Sequence, residues 1–202
     1  MNNVDIGAIV DRVKNILTNP KKTLETVRSE SPSTKDVIIY LAIIAIPTLI
    51  GIILGYGVVG VGGFGYRFRC PFGWAVAWGV MQYVFSIVGV VILAYIITAL
   101  APSFSSNKDQ AQALKLVAYG ATPWLIAGIL FIYPPLAFLV FLASIYGWYI
   151  MYLGLPVLMG TPEDKRIMYL VVTVVVHIII MAIVSQVTGA IVRGSVGYHY
   201  LW

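Results

Sequence analysis

Charge is what this sequence is short of. Only 10% of its 202 residues are Asp, Glu, Lys or Arg, whereas a soluble domain carries about 25%. Cysteine is nearly absent too. Cys70 stands alone, which excludes an intrachain disulfide and a metal site of cysteine type. Histidine is limited to His177 and His199. The second falls in the C-terminal tail, which argues against a histidine-held metal. No HExxH, GxSxG, P-loop or GxGD motif occurs. No catalytic residue, cofactor site or metal site is therefore assigned, and the chain reads as non-enzymatic. The net charge is +5, but the basic residues are scattered between apolar runs and form no stripe, so nucleic acid is not an expected partner.

Apolar residues fill the space that charge leaves. They make up 60% of the chain, and mean hydropathy is +0.92. No apolar run long enough to matter starts before Val37, so no signal peptide is read at the start. A membrane-crossing helix needs roughly 20 apolar residues. Five stretches qualify: Val37 to Val59, Trp74 to Leu100, Leu114 to Tyr133, Leu136 to Leu158 and Ile167 to Val192. The fold class expected is an all-α, polytopic membrane bundle of five transmembrane helices with amphipathic helices at its N-terminus. The organisation expected is an N-terminal segment over 1–36, the five-helix domain over 37–192 and a short aromatic tail over 193–202.

Local signals punctuate these runs. Ile6, Ile9, Val10, Val13, Ile16 and Leu17 recur at helical spacing and predict an amphipathic helix over 4–17. Asn19 is read as the cap of a second short helix with Pro20 in its first turn. These two helices either pack on the ends of the bundle, lie in the lipid headgroup layer or stay disordered. Ser33 with Asp36 reads as a capping box, and so does Ser106 with Asp109. Thr161, Pro162 and Asp164 read as a third helix start. Gly51 and Gly55 form a small-xxx-small pair that allows close helix approach. Pro123 lies inside the third run and is expected to kink it. Pro134 and Pro135 leave so short a turn that the third and fourth helices must be antiparallel neighbours.

Five spans put the two ends on opposite sides of the membrane. With the N-terminus inside, ten of the thirteen basic residues fall on the cytoplasmic side and only Arg67, Arg69 and Arg193 outside. The positive-inside rule therefore predicts a cytoplasmic N-terminus and an extracytoplasmic C-terminus in a cell membrane.

No Asp, Glu, Lys or Arg lies mid-span, although proton pumps and ion-coupled carriers usually keep one there. His177 is the titratable candidate, about 15 Å deep. It reads either as a neutral imidazole bonded to a neighbouring helix or as a relay or ligand contact. Ser185 follows eight residues later on roughly the same face and gives only a weak catalytic dyad. Gln82 and Gln186 are expected to bond across helices. Tyr40, Tyr95, Tyr119, Tyr152 and Tyr169 map near one face, as an aromatic belt or as an inward-facing polar cluster. Trp124 and Trp148 lie too deep for a belt and are expected to fill space. Trp74 and Trp78 are expected as interface anchors, and Cys70 as a bystander.

Three stretches resemble the Yip (Ypt/Rab-interacting-protein) domain family, whose members span the membrane five times with a cytoplasmic N-terminus. Ile16-Leu17-Thr18-Asn19-Pro20-Lys21-Lys22-Thr23 is similar to the segment before the first span of prokaryotic members. Ala118-Tyr119-Gly120-Ala121-Thr122-Pro123 is similar to the tyrosine–proline signature of the third span. Tyr149 to Lys165, with Gly154, Leu155, Pro156 and Lys165, resembles the end of the fourth span and its loop. The resemblance implies signature roles for Tyr119, Pro123, Gly154, Pro156 and Lys165, and no catalytic residue. Eukaryotic members associate with Rab-type GTPases and affect vesicle membranes, whereas the prokaryotic members have no settled activity. The leading function expected is a non-enzymatic organiser of membrane or partner proteins, read from the span count, the kinked third helix, the small-residue faces and the amphipathic N-terminal helices. Partners expected are the bilayer, an unidentified membrane or cytoplasmic protein, or a second copy of the chain. The alternative is a small channel or transporter with a polar site around His177, built on the interruptions at Pro47, Pro123 and Pro156.

Overall fold

A computed structural model describes residues 5–30, 33–63 and 66–195. The tail from 196 onward, with His199, lies outside the described residues. So do the side chains of 61–63, of 66–68, of Ser185 and of 187–195.

The N-terminal helices form a hairpin of α1 (Ile6–Thr18) and α2 (Pro20–Ser29). Asp5 starts α1 by accepting from the Ala8 N–H at 3.2 Å. Asn19 stands at the start of α2 with Pro20 next, as expected, but its side chain makes no capping bond. The Asn19 carbonyl instead accepts from the Thr23 hydroxyl at 2.9 Å.

Five helical segments are long and apolar enough to cross a membrane: Thr34–Val59, Phe72–Phe104, Gln110–Ile132, Pro134–Met159 and Glu163–Val184. The first opens with the expected capping box, in which Ser33 and Asp36 exchange side-chain-to-backbone bonds of 3.0 and 3.2 Å. It comprises α3 (Thr34–Ile44), α4 (Ile46–Leu54) and a π-helical turn, Gly55–Val59. Pro47 has no N–H to give to the Ile43 carbonyl, which accounts for the break between α3 and α4. At the break the Tyr83 hydroxyl donates to the Ala42 carbonyl at 2.9 Å.

The Gly-rich loop after the first span holds a two-stranded antiparallel ribbon, β1 (Val61–Gly63) and β2 (Tyr66–Phe68), with Gly62 opposite Arg67. Next comes α5 (Phe72–Leu100), opened by Trp74 and Trp78 with their rings stacked at 5.5 Å.

The second expected capping box is corrected. Asp109 alone caps α6 (Gln110–Ala127), accepting from the Ala111 and Gln112 N–H groups at 2.9 and 3.1 Å. Ser106 turns away and donates to the Thr161 hydroxyl at 2.9 Å. Pro123 sits inside α6, which runs on unbroken, and the winding tightens to 3₁₀ only at Gly128–Ile132. A short turn at Pro134–Leu136 leads into α7 (Ala137–Met159). Last comes α8 (Glu163–Ser195), so Pro162 lies one residue before the helix rather than in its first turn.

The third span is the central one. Of its most apolar stretch 61% is buried, against 11% for the fifth. Every residue from Ala113 to Pro123 is buried. Two close crossings hold α6 and its continuation. A Cβ at Gly147 would land on the Gly120 carbonyl oxygen, which brings α7 antiparallel against α6. Cβ atoms at Gly51 and Gly55 would land on the Gly128 and Phe131 carbonyls, which brings α4 against the 3₁₀ turn. Lipid tails are as apolar as leucine, so backbone approach of this kind drives association where the hydrophobic effect does not.

Candidate functional site

The end of α2 lies at the end of the bundle that carries the α5–α6 and α7–α8 loops, and the turn of the hairpin reaches Tyr146, well inside α7. Helix C-termini leave carbonyls without partners, and α1 and α2 find theirs on the spans. The Tyr146 hydroxyl of α7 donates to the Leu17 carbonyl at 2.8 Å. The Gln112 amide of α6 donates to the Arg28 carbonyl at 3.2 Å. The Lys115 ammonium, also on α6, donates to the carbonyls of Val27 at 2.9 Å and Glu30 at 2.5 Å.

Lys115 is only 2% exposed. A buried ammonium is costly unless its protons are satisfied. Here the negative end of the α2 dipole meets it. The Glu30 carboxylate is free for Arg12, which reaches both of its oxygens at 2.7 and 2.9 Å. Burial works against the Arg12 charge, but the bond to Glu30 and its charge outweigh it, so the pKa is raised. Ile16, Leu24 and Val27 seal the joint, each fully buried. Gly154 leaves room there: a Cβ on it would strike a Leu116 methyl and approach Leu24.

Beside this joint lies a tyrosine cluster. Tyr119 is buried edge-on to Tyr40, with ring centres 5.4 Å apart. The Tyr40 hydroxyl shares a 2.8 Å bond with Thr122. Tyr169 is fully buried, stacked on Phe104 at 4.4 Å, and donates to the Ile97 carbonyl at 2.5 Å. These three face inward; of the remaining two, Tyr95 is 62% exposed and fits a belt. Tyr152 lies under the Arg166 guanidinium, 5.0 Å from its ring centre.

Lys165 ties two loops together. Its ammonium donates to the Ser105 hydroxyl at 2.7 Å, while the Asn107 N–H donates to the Met159 carbonyl at 2.7 Å. Pro156 stands inside α7 three residues before Met159, and Pro123 inside α6 is buried one residue after Thr122. Tyr119 and Gly154 thus lie where α6 and α7 meet the hairpin, Pro123 sits a turn further along α6 near Gly147, and Lys165 and Pro156 belong to the adjoining loop end.

His177 stands apart. It meets the Trp148 ring edge-on at 5.2 Å and lines a cavity of about 660 Å³ among α5, α6, α7 and α8. Trp124 and Trp148 line the cavity rather than close it. Tyr119 and Gln82 are not in its lining. Among the described residues, the bond expected from His177 to a neighbouring helix is not formed, nor are those from Gln82 and Gln186. Gln186 is exposed. Outside the spans, partial burial pushes the Cys70 thiol pKa up, which suits a bystander rather than a nucleophile.

Sequence reasoning did not single out Lys115, Gln112, Tyr146 or the Arg12–Glu30 pair. The available signal was a lone lysine flanked by Leu114 and Leu116, where a charge needs a named partner.

Five apolar spans, the third buried among the others and α8 largely open on its outside, define a polytopic α-helical membrane protein whose outer faces contact the lipid bilayer. The Yip1 domain model matches residues 14–184, and the chain belongs to the Yip1-domain family. The match begins inside α1 and takes in α2 and all its anchors. Among curated proteins and among solved structures, none matches the chain significantly.

Proposed function

We propose that this chain is a non-enzymatic organiser of its membrane, with the α1–α2 hairpin as its contact surface for a membrane or cytoplasmic protein. The carrying observation is the hairpin's two-sidedness. Its inner face is anchored through Lys115, Gln112 and Tyr146. Its outer face leaves Ile6 66% and Val10 58% exposed, one helical turn apart. An anchored helix that keeps apolar residues outward is suited to meeting a partner without refolding. Tyr119, Pro123, Gly154, Pro156 and Lys165 are positioning residues in this reading, holding the hairpin and loop end in place. The positive-inside count supports a cytoplasmic side for that face and an extracytoplasmic C-terminus, in a cell membrane.

The test is site-specific cross-linking in native membranes from a probe at position 14, exposed and one helical turn beyond Val10. A discrete protein adduct should form when Ile6 and Val10 are native and disappear in the Ile6→Asp, Val10→Asp double variant carrying the same probe, with the spans still inserted. Identical adducts with and without the two aspartates, or no adduct with the native pair, would overturn the reading.

Transport draws on the cavity at His177. The lining of that cavity lacks Tyr119 and Gln82 and carries no charged side chain, which favours an apolar occupant over a hydrated solute. Solute flux through purified protein in liposomes, lost in His177→Ala, would restore the channel or transporter reading.

A further inference from the structure

We propose that the cavity beneath α8 is a binding site for one acyl chain of a bilayer lipid. The cavity is an elongated slot. Its walls extend from Ser86 to Leu93 on α5, from Val117 to Trp124 on α6 and from Val174 to Met181 on α8. Seven helical steps are about 10 Å along the axis. Its volume of about 660 Å³ falls within the roughly 300–1,000 Å³ of small-molecule pockets.

Two observations decide what fills the slot. First, the walls offer water almost nothing. The Ser86 hydroxyl donates back to the Tyr83 carbonyl at 2.7 Å, and the Ser144 hydroxyl back to Phe141 at 2.6 Å. Beyond the acceptor lone pairs of those two hydroxyls, the lining side chains offer only imidazole and indole nitrogens, dispersed over three helices, while a buried water needs two to four polar partners. Second, the mouth opens at membrane depth. Phe141 and Ile145 on α7 and Ile178 on α8 line the slot, yet each is more than half exposed on the lipid side. The medium at that mouth is hydrocarbon.

The space is open at its inner wall as well. Gly89 is buried, and a Cβ built on it meets nothing within 4 Å. An unfilled void of this size forfeits the dispersion contacts of everything that lines it. A lipid chain entering between α7 and α8 supplies those contacts and leaves its head group at the interface.

The test uses full-length protein in nanodiscs of phosphatidylcholine bearing a diazirine midway along one chain, with label sites mapped by peptide mass spectrometry. Slot-facing Gly147, Met151 and Val174 should take more label than outward Leu142, Tyr149 and Val175. Gly89→Ala and Gly89→Leu should reduce the slot label stepwise and leave the outward label unchanged, which also reports that the bundle is intact. The alanine step keeps the test open should the leucine variant fail to fold. Equal labelling of both faces in the wild type, or slot label unaltered by either variant, overturns the site.

Discussion

Replacing Lys115 by methionine removes the ammonium that holds the end of α2 while keeping most of the side-chain volume. Two bonds disappear, those to Val27 and Glu30. Bonds to charged groups contribute about 1.5–3 kcal/mol each. Against that loss, several kcal/mol of desolvation cost is returned once no ammonium is buried. What remains is one buried orphan, the Val27 carbonyl, since the Glu30 carbonyl is only part-buried and can turn to water, so a net loss of about 1–3 kcal/mol in hairpin docking is expected. A change of that size is roughly 5- to 150-fold in an equilibrium. Hydrogen–deuterium exchange in nanodiscs reads it directly, because local opening sets the exchange rate of α2 amides. Peptides from Pro20–Ser29 should exchange faster by that factor, and peptides from Gln110–Ala127 should not change. Unaltered α2 protection in Lys115→Met would refute the reasoning. Equal loss of protection over the whole chain would show instead that Lys115 holds the bundle and not the hairpin.

Three further outcomes are expected. Tyr146→Phe removes one bond, to Leu17, and should loosen α1 by about 0.5–1.5 kcal/mol, read as faster exchange confined to Ile6–Thr18. Gly147→Leu puts a side chain against the Gly120 carbonyl and should cost at least about 1–3 kcal/mol by overpacking, seen as a lower thermal midpoint in detergent. The Cys70 thiol pKa is raised, so at neutral pH it should react with maleimide more slowly than a free cysteine thiol. Because the thiolate is the nucleophile, the rate should rise with pH and level off only above the ordinary cysteine range.

Chain-crossing segments were legible because lipid imposes one rule, length and apolarity together, that composition alone satisfies. Gly51 and Gly55 were legible because small residues four apart announce a close crossing. What resisted reading was direction. The tyrosine positions give a depth along the helix, not an azimuth, so Tyr169, fully buried, and Tyr95, mostly exposed, looked alike in sequence. Ser106 and Asp109 are both competent caps, and only the distant Thr161 hydroxyl decides between them. The α1 pattern marks an apolar face without saying that Ile16 meets the bundle while Ile6 does not. Lys115 counted as one more basic residue near a membrane face. Its importance rests on carbonyls more than eighty positions earlier.

The central claim is that the N-terminal hairpin is a docked part of the bundle, held at the end of α2 by α6. Pulsed electron spin resonance measures this most directly. Spin labels at Ser29 and Ala111, both exposed, are placed in a Cys70→Ser background. One narrow, short distance is expected in lipid nanodiscs, broadened when Lys115→Met is added. A broad distribution in the protein with Lys115 intact would contradict it.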